Sequence, residues 1–311
     1  MKIVFLDRAT VGDTSLRPLE ALGELVCYET SSPEEARRRV SDCDVLITNK
    51  VVIDAALLDA APKLRLICEV ATGVNNIDLK AAEARGIPVR NVAGYSTDSV
   101  VQTTFMHILS LAGNAPYFDA RVKDGTYSRS GLFTDLTRPC VELAGKTLGV
   151  IGMGTIGFRV SALAEALGMK VVYFSTSGTS HCRKYPSLPL EEMLAVSDVV
   201  TVHAPLNERT RGLIGAAQLR LMKPTAFLVN TGRGGIVDEA ALAAAVDNGT
   251  IAGAALDVYT QEPLPADSPL LHAAHPDRFR FTPHTAWASV EARERLIKET
   301  ARNIVDTLGC A

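Results

Sequence analysis

Short apolar runs rich in valine and isoleucine recur along this chain of 311 residues and alternate with longer alanine- and leucine-rich stretches of helical period. This alternation is typical of parallel sheets joined by helices, because strands that are buried on both faces are apolar at nearly every position. The first predicted strands are residues 3–6, 25–28, 45–47, 64–68 and 87–89, and a second set covers 148–151, 171–174, 199–202, 226–229, 252–256 and 279–281. The pattern therefore predicts an α/β protein with two doubly wound parallel sheets.

A long helix is predicted between the two sets of strands, over residues 98–112. One face of this helix is apolar, and it consists of Val101, Phe105, Ile108, Leu109 and Ala112. Three further apolar residues widen this face: Val100, Met106 and Leu111. The helix is either a connector packed on both sides or a surface that also meets a second subunit. The second interpretation, a surface that meets a second subunit, predicts a homodimer. The following segment, 113–140, contains Gly, Pro, Asp and Ser and is predicted to be irregular.

The composition bounds the class of protein. Hydrophobic residues make up 47% and charged residues 22% of the chain, which is ordinary for a globular protein and excludes disordered, collagen-like and coiled-coil chains. At roughly 150 residues per domain, the length favours two domains. The net charge of −3 provides no general attraction to nucleic acid or to an anionic membrane. The sequence shows no export signal and no membrane span, so neither is expected.

The cysteines indicate the expected compartment. They are scattered and include no C-x-x-C pair, at positions Cys27, Cys43, Cys68, Cys140, Cys182 and Cys310. This spacing favours neither a zinc site nor a disulfide framework. We therefore expect no bound metal and a reducing, cytoplasmic location.

A glycine-rich motif follows the first strand of the second set. Gly152-Met153-Gly154-Thr155-Ile156-Gly157 has the spacing G-x-G-x-x-G, and a helical apolar stripe follows it at Val160, Leu163, Ala164 and Leu167. A strand, a glycine turn, a helix and another strand form the unit that binds a dinucleotide, with the pyrophosphate at the helix N-terminus. We therefore predict that Gly152, Gly154, Thr155, Ile156 and Gly157 bind a nicotinamide dinucleotide.

The position expected to bind the adenine ribose is not acidic. A carboxylate there would bind the ribose 2′-hydroxyl, but this chain has Ser175-Thr176-Ser177-Gly178. Without that carboxylate a 2′-phosphate is not repelled, and the hydroxyls of Ser175 and Thr176, with Arg183 or Lys184, are suited to bind it. This favours NADP slightly over NAD. The alternative is that Ser175 binds an unphosphorylated ribose and that Arg183 and Lys184 are solvated.

Three polar clusters each follow a predicted strand of the second set. They are NTGRGGIVD at 230–238, DVYTQEP at 257–263 and TPHTAW at 282–287, and they contain Arg233, Glu262 and His284. An arginine offers a forked donor to a carboxylate and a keto oxygen, and a histidine supplies or accepts the hydroxyl proton. A neighbouring glutamate would favour the imidazolium and hold its tautomer. The three residues together suit the reduction of a 2-keto acid to a 2-hydroxy acid.

Five stretches of the chain resemble the D-2-hydroxyacid dehydrogenase family. They are ELAGKTLGVIGMGTIG at 142–157, VHAPLNERT at 202–210, NTGRGGIVDE at 230–239, LDVYTQEP at 256–263 and TPHTAWAS at 282–289. The resemblance extends over nearly the whole chain. It implies a Rossmann-type cofactor domain, residues 99–284, inserted into a flavodoxin-like substrate domain, residues 1–98 and 285–311. It also implies that catalysis takes place in a cleft between the two domains.

The resemblance implies roles for individual residues. In the catalytic group, His284 is implied to be the acid/base, Glu262 its partner and Arg233 the substrate anchor. Further implied cofactor contacts are Asp257 to the nicotinamide carboxamide, with His203, Pro205 and Thr231 beside the cofactor. The backbone N–H groups of Gly73 and Val74 are implied to bind the substrate carboxylate. Lys50 is a further candidate for substrate binding, although a solvated lysine is the alternative.

The stretch from Asn91 to Val100 resembles the glycerate dehydrogenase and hydroxypyruvate reductase branch of the family. The predicted activity is therefore the NAD(P)-dependent reduction of a small 2-keto acid, with hydroxypyruvate or glyoxylate favoured. The alternative substrates are those of phosphoglycerate and D-lactate dehydrogenases. A nucleotide-sensing corepressor on the same fold is a further alternative, and the presence of all three catalytic residues argues against it.

Overall fold

A computed structural model describes residues 1–180 and 182–309. The chain divides into two compact units, which we call the terminal unit (Met1–Ser96 and the chain from Trp287 onward) and the central unit (Thr97–Ala286). Cys310 and the end of the predicted substrate domain lie outside the described residues, and the other five cysteines are free thiols. Within the described residues, no helix is both long enough and apolar enough to cross a membrane.

The secondary structure alternates between strands and helices, as the hydrophobic pattern predicts. The strands are β1 (Lys2–Phe5), β2 (Glu24–Cys27), β3 (Val45–Thr48), β4 (Leu66–Glu69), β5 (Val89–Arg90), β6 (Thr147–Ile151), β7 (Lys170–Phe174), β8 (Val199–Val202), β9 (Phe227–Asn230), β10 (Gly253–Leu256) and β11 (Phe279–Phe281). The helices are α1 (Arg17–Glu20), α2 (Pro33–Arg39), α3 (Ala55–Asp59), α4 (Leu79–Ala84), α5 (Thr97–Ala112), α6 (Ala115–Lys123), α7 (Thr126–Arg129), α8 (Thr155–Ala166), α9 (Leu190–Val196), α10 (Ala216–Leu219), α11 (Glu239–Asp247) and α12 (Val290–Leu308).

The terminal unit contains a parallel sheet with the order β2-β1-β3-β4-β5. Alternate strand residues face opposite sides: Phe5 packs in a core with Leu296 of α12, whereas Val4 packs in a second core with Leu57 of α3. Both faces of the sheet are therefore covered, which requires the continuous apolar runs seen in the sequence. This is the strand order of the flavodoxin-like fold that the family resemblance implies.

The central unit contains a parallel sheet with the order β11-β10-β9-β8-β6-β7. Beside β7, Ser187 forms a single parallel bridge to Tyr173, so one more position continues the sheet at that edge. With that bridge included, the order is that of a Rossmann fold, in which the direction of winding reverses between the first and fourth strands. Here that switch point lies between β6 and β8, and the glycine motif directly follows β6.

The prediction of an irregular segment over 113–140 is wrong, because α6 and α7 lie within it. The residues that suggested irregular structure mark the ends of these helices. Asn114 precedes α6 in a left-handed conformation, Pro116 lies in its first turn, and Gly125 separates it from α7 with a φ of 77°.

Two predicted apolar stripes are only partly buried. In α5, Ile108 and Leu111 are buried, whereas Met106 and Leu109 are about half exposed. In α8, Val160 and Ala164 are buried, whereas Leu163 and Leu167 are exposed. The helical period places all of these residues correctly along each helix, but the neighbouring elements cover a narrower stripe than the sequence suggests.

Candidate active site

The three polar clusters emerge side by side from the central sheet. Asn230 of β9 pairs with Leu256 of β10, and Leu256 pairs with Phe281 of β11. Because these strands are parallel and in register, the residues that follow them leave the sheet at the same edge. The structure thus places the segments that contain Arg233, Glu262 and His284 on neighbouring strand ends.

His284 and Glu262 are in direct contact. The Nδ1 atom of His284 lies 2.6 Å from Oε2 of Glu262. The other carboxylate oxygen, Oε1, accepts a hydrogen bond of 2.9 Å from the backbone N–H of Tyr259. Both carboxylate oxygens are therefore engaged, which fixes the glutamate and orients the imidazole. A carboxylate at Nδ1 leaves Nε2 as the ring nitrogen that exchanges a proton with a substrate.

The backbone around His284 is held by Asp257, whose side chain is 1% exposed. The backbone N–H of His284 donates to the carbonyl of Asp257 at 2.8 Å. The Asp257 carboxylate accepts from the N–H groups of Thr285 and Ala286 at 2.8 and 2.9 Å. His284 itself has a φ of 55°, which is uncommon for a residue with a side chain. These bonds keep the backbone in that conformation and so set the direction of the imidazole.

His107 of α5 completes a chain of hydrogen bonds behind this site. The hydroxyl of Thr282 donates to Oδ1 of Asp257 at 2.6 Å, and Nε2 of His107 lies 3.1 Å from the same hydroxyl oxygen. Because a hydroxyl has one proton, Nε2 of His107 is the donor in the second bond. Burial lowers the pKa of His107, since it disfavours the charged ring. This residue could not be predicted from the sequence, since a single histidine within an apolar helix gives no signal of its partner.

The loop that contains Arg233 is anchored by Asn230. The Asn230 side chain accepts from the N–H of Gly232 at 3.0 Å and donates to the carbonyl of Arg233 at 2.9 Å. Arg233 is exposed, and its guanidinium donates to the carbonyl of the residue before it at 2.7 Å. A Cβ atom on Gly234 would lie 1.8 Å from the carbonyl oxygen of Tyr259, so only glycine allows the two loops to approach this closely.

The glycine motif has the geometry of a phosphate loop. Gly152 has a φ of 93°, and a Cβ atom on Gly157 would lie 2.3 Å from the carbonyl oxygen of Gly152. Gly154 differs, because no heavy atom of the described residues lies within 4 Å of its would-be Cβ position. Gly154 begins α8, and no described side chain caps that helix. Thr155 and Ile156 form its first turn, so their N–H groups are positioned to bind an anion.

The predicted ribose-binding segment follows β7 and is closed by its own hydrogen bonds. The hydroxyl groups of Ser175 and Ser177 donate to the carbonyl of Thr179 at 2.7 and 3.1 Å. Thr176 lies within the same turn. The guanidinium of Arg209, from the loop after β8, donates to the carbonyl of Ser177 at 3.0 Å. Arg209 could not be predicted from the sequence, because it lies 32 residues from Ser177 in the chain and no local pattern connects the two residues.

The two basic residues that the sequence suggests for binding a 2′-phosphate, Arg183 and Lys184, differ in their contacts. Lys184 is exposed and forms an ion pair with Glu165 of α8 at 2.5 Å. Arg183 is exposed. Arg209 is thus a cation that the structure places in contact with the 175–179 turn.

The segment after β8 lies against the glycine motif. A Cβ atom on Gly152 would lie 2.9 Å from the carbonyl oxygen of His203. The side-chain nitrogens of His203 are buried and have no hydrogen-bond partner among the described residues, and burial lowers its pKa to about 3. Pro205 accepts a hydrogen bond from the hydroxyl of Thr210 at 2.6 Å. Thr231 is buried and bonds Thr104 of α5 at 2.9 Å.

The predicted substrate-binding residues belong to the terminal unit. Lys50 follows β3, and Gly73 and Val74 follow β4. These strands are adjacent and parallel, with Thr48 opposite Glu69, so both segments leave the same edge of the terminal sheet. Within that unit, the structure brings the two segments together.

Comparison with known proteins identifies the family. The family described as "D-isomer specific 2-hydroxyacid dehydrogenase, NAD binding domain" matches residues 105–286. The chain belongs to this family. A relative named putative 2-hydroxyacid dehydrogenase from Haemophilus influenzae is 42% identical over 98% of this chain and 97% of its own length. The glycerate dehydrogenase of Methylorubrum extorquens is 39% identical over 97% of this chain and 95% of its own length.

A solved structure supports the same assignment. An NADPH-dependent glyoxylate/hydroxypyruvate reductase from Sinorhizobium meliloti superposes with a TM-score of 0.84 at 28% identity, over 100% of this chain and 96% of that chain. The prediction of the family from five sequence stretches is therefore confirmed. The fold class is confirmed as well, and the chain is an oxidoreductase of the NAD(P)-dependent 2-hydroxyacid class.

The residues of the central unit fit a nicotinamide dinucleotide. The open space at Gly154 and the uncapped start of α8 lie at the end of β6. Polar groups of this kind are left without protein partners when a ligand supplies them. The site thus fits a pyrophosphate at the helix N-terminus, in agreement with the family.

Proposed function

We propose that this chain reduces a small 2-keto acid, with hydroxypyruvate or glyoxylate favoured, to the D-2-hydroxy acid with NADPH or NADH. The observation that carries the proposal is the 2.6 Å bond between His284 and Glu262, in the same unit as the glycine motif. Arg233 is exposed and follows β9, which lies beside β10, the strand that precedes Glu262. The two substrates are those suggested by the names of the glycerate dehydrogenase and glyoxylate/hydroxypyruvate reductase relatives.

In this proposal the bound cofactor supplies the hydride, and the protein supplies the proton and the charges. His284 gives the proton on Nε2 to the keto oxygen as that oxygen gains negative charge. Glu262 accepts a hydrogen bond from Nδ1 and stabilises the imidazolium before the transfer. Arg233 binds the substrate carboxylate and stabilises the developing alkoxide with the same planar fork. In the reverse direction His284 accepts the hydroxyl proton.

The terminal unit is proposed to supply the remaining substrate contacts. The N–H groups of Gly73 and Val74 have no acceptor among the described residues, so they are available to a carboxylate. Lys50 is exposed, and its backbone is fixed by a 2.6 Å bond from its N–H to Asp7. We propose that its ammonium group adds a positive charge near the bound anion. We also propose that the cofactor and substrate domains correspond to the residues predicted from the sequence.

NADPH is the proposed preferred cofactor. Ser175 and Thr176 place hydroxyl groups, and not a carboxylate, at the end of β7. Arg209 reaches the same turn and brings a guanidinium, which binds phosphate in a bidentate way. Asp257 is proposed to contact the nicotinamide carboxamide, and His203, Pro205 and Thr231 are proposed to lie beside the cofactor.

The Ser175→Asp variant is expected to reverse this preference. A carboxylate at residue 175 repels a 2′-phosphate and binds the ribose hydroxyls, so kcat/KM for NADPH relative to NADH falls roughly tenfold or more. Steady-state kinetics with both cofactors measure the ratio. Ser41→Asp, at an exposed residue of the terminal unit, adds the same charge elsewhere and should leave the ratio unchanged. An unchanged ratio in Ser175→Asp contradicts the role of this turn.

The chain is also proposed to form a homodimer through the surface around α5, α6 and α7. Phe133 is 97% exposed, and Leu132 and Leu136 are exposed beside it. The segment is ordered by a 2.7 Å bond from the Tyr127 hydroxyl to the carbonyl of Phe133. An apolar patch held in a fixed position on the surface is typical of an interface.

The Phe133→Asp variant is expected to convert the dimer to single chains, because a charged side chain is not tolerated in an apolar interface. Light scattering after size-exclusion chromatography measures the mass. Leu271→Asp changes another exposed apolar residue and should retain the dimer. A wild-type protein with the mass of one chain contradicts the proposed dimer.

The assay that tests the proposed function follows the loss of NADPH or NADH absorbance with hydroxypyruvate and with glyoxylate at matched concentrations. Rapid oxidation that depends on either keto acid supports the proposal. Oxidation only with pyruvate or phosphohydroxypyruvate moves the assignment to a lactate or phosphoglycerate dehydrogenase. An absence of oxidation with all four substrates overturns the proposal.

A further inference from the structure

The two predicted substrate-binding segments of the terminal unit are linked by buried polar side chains. Asp7, at the end of β1, accepts hydrogen bonds from the backbone N–H groups of Asn49, Lys50 and Val51. This arrangement fixes the loop that contains Lys50. The side chain of Asn76, at the end of the other segment, donates 3.1 Å bonds to the carbonyl of Val51 and to Oε2 of Glu69.

Glu69 lies at the centre of this cluster and has no role in the mechanism above. It is the last residue of β4 and is 1% exposed. Its Oε2 atom accepts the bond from Asn76, whereas Oε1 is buried and has no partner among the described residues. A buried carboxyl group with one unsatisfied oxygen is costly to maintain, so its presence at this position calls for a function.

We propose that Glu69 is a positioning residue for substrate binding, which through Asn76 holds the Lys50 loop against the segment that contains Gly73 and Val74. The proposal rests on the proposed function, since it concerns the same substrate site. Asn76 has a single side-chain NH₂ group with two donors, and it donates one to the carbonyl of Val51 in the Lys50 loop and the other to Glu69 at the end of β4. Oε2 of Glu69 fixes the orientation of that amide, because it accepts the hydrogen bond from the amide nitrogen.

The protonation state of Glu69 affects the charge that the substrate meets. Burial raises the pKa of Glu69 to about 8, against the opposing effects of Asn76 and of Lys50, while the negative charge of Asp7 raises it further. The charged groups that act on Glu69 are therefore Lys50 and Asp7. A neutral Glu69 leaves the Lys50 ammonium available to an anionic substrate. Above that pKa, an ionised Glu69 attracts the ammonium and repels the substrate carboxylate.

The test compares Glu69→Gln, Glu69→Ala and wild type in KM and kcat for hydroxypyruvate between pH 6 and 9.5. Glutamine keeps an oxygen that accepts from Asn76 and has no charge, so KM at pH 6.5 should stay within about twofold of wild type. Alanine removes the acceptor, and KM should rise about tenfold with kcat changed less than threefold. Above pH 8, KM should rise more steeply in wild type than in Glu69→Gln. A pH dependence that is common to both proteins cancels in the comparison.

Two controls separate the possible failures. Glu83→Gln, at an exposed residue of α4, should match wild type at every pH. Wild type without activity overturns the proposed function, whereas active wild type with identical KM profiles in all three proteins overturns the role of Glu69. If Glu69→Gln and Glu69→Ala lower kcat and raise KM by the same factors, the role of Glu69 is also overturned, because a purely structural defect would not be rescued by glutamine.

The stability profile provides a readout that does not depend on activity. Folded Glu69 keeps its proton up to a pKa of about 8, whereas the unfolded chain releases it near the ordinary value of 4.5. Wild-type stability should therefore fall relative to Glu69→Gln as the pH rises from about 4.5 to 8, and the difference should level off above that range. A difference in melting temperature that is constant with pH overturns the protonation argument.

Discussion

The His284→Ala variant is expected to lower kcat for hydroxypyruvate by about 10²–10⁴-fold, because it removes the ring nitrogen that transfers the proton in the proposed mechanism. Binding of NADPH should stay close to that of wild type, since the His284 side chain bonds Glu262 and no hydrogen bond within the described residues joins it to the glycine motif or to the 175–179 turn. Stopped-flow kinetics measure the rate of reduction, and cofactor fluorescence titration measures the binding. The hydrogen bonds that Asp257 makes to Thr285 and Ala286 persist in the variant, so the loop is expected to stay folded.

His272→Ala is the matched control for this experiment. His272 is exposed, and its ring bonds the carbonyl of Ala266 at 3.0 Å in the same unit. Its kcat should equal that of wild type. If His284→Ala retained full turnover while His272→Ala also did, His284 would have no part in the proton transfer.

The Arg233→Lys variant is expected to lower kcat/KM by on the order of 10²-fold with a raised KM for the keto acid. An ammonium retains the charge but cannot donate two parallel hydrogen bonds to the carboxylate and the keto oxygen. Arg233 is exposed, and among the described residues its guanidinium bonds the carbonyl of Gly232 alone, so its other donors are available to a substrate. Steady-state kinetics with varied hydroxypyruvate at saturating NADPH measure both parameters.

Arg220→Lys makes the same change at an exposed residue that follows α10. It should have wild-type kinetics. Wild-type behaviour of Arg233→Lys would mean that another cation binds the carboxylate, and Lys50 would be the first to replace. A loss in kcat alone, with KM unchanged, would instead indicate that Arg233 acts only on the developing alkoxide.

The two sheets, the glycine motif and the three strand-end clusters could be predicted from the amino-acid sequence alone. These features depend on local patterns: an apolar run predicts a buried strand, and the polar residues directly after it must lie at the carboxyl edge of the sheet. Gly157 illustrates this, since the spacing of the motif alone predicts the close packing that the structure has. The family followed from the same stretches.

Contacts between side chains that are far apart in the chain could be seen only in the folded protein. Asp257 holds the segment after His284, His107 bonds Thr282 across 175 residues, and Arg209 reaches the turn after Ser175. Glu69 gained its buried environment in the same way, because three chain segments close around the end of β4. The physical reason is that a polar residue alone in sequence carries no information about its partner. The register of parallel strands and the packing of helices on them bring such residues together and remove them from water.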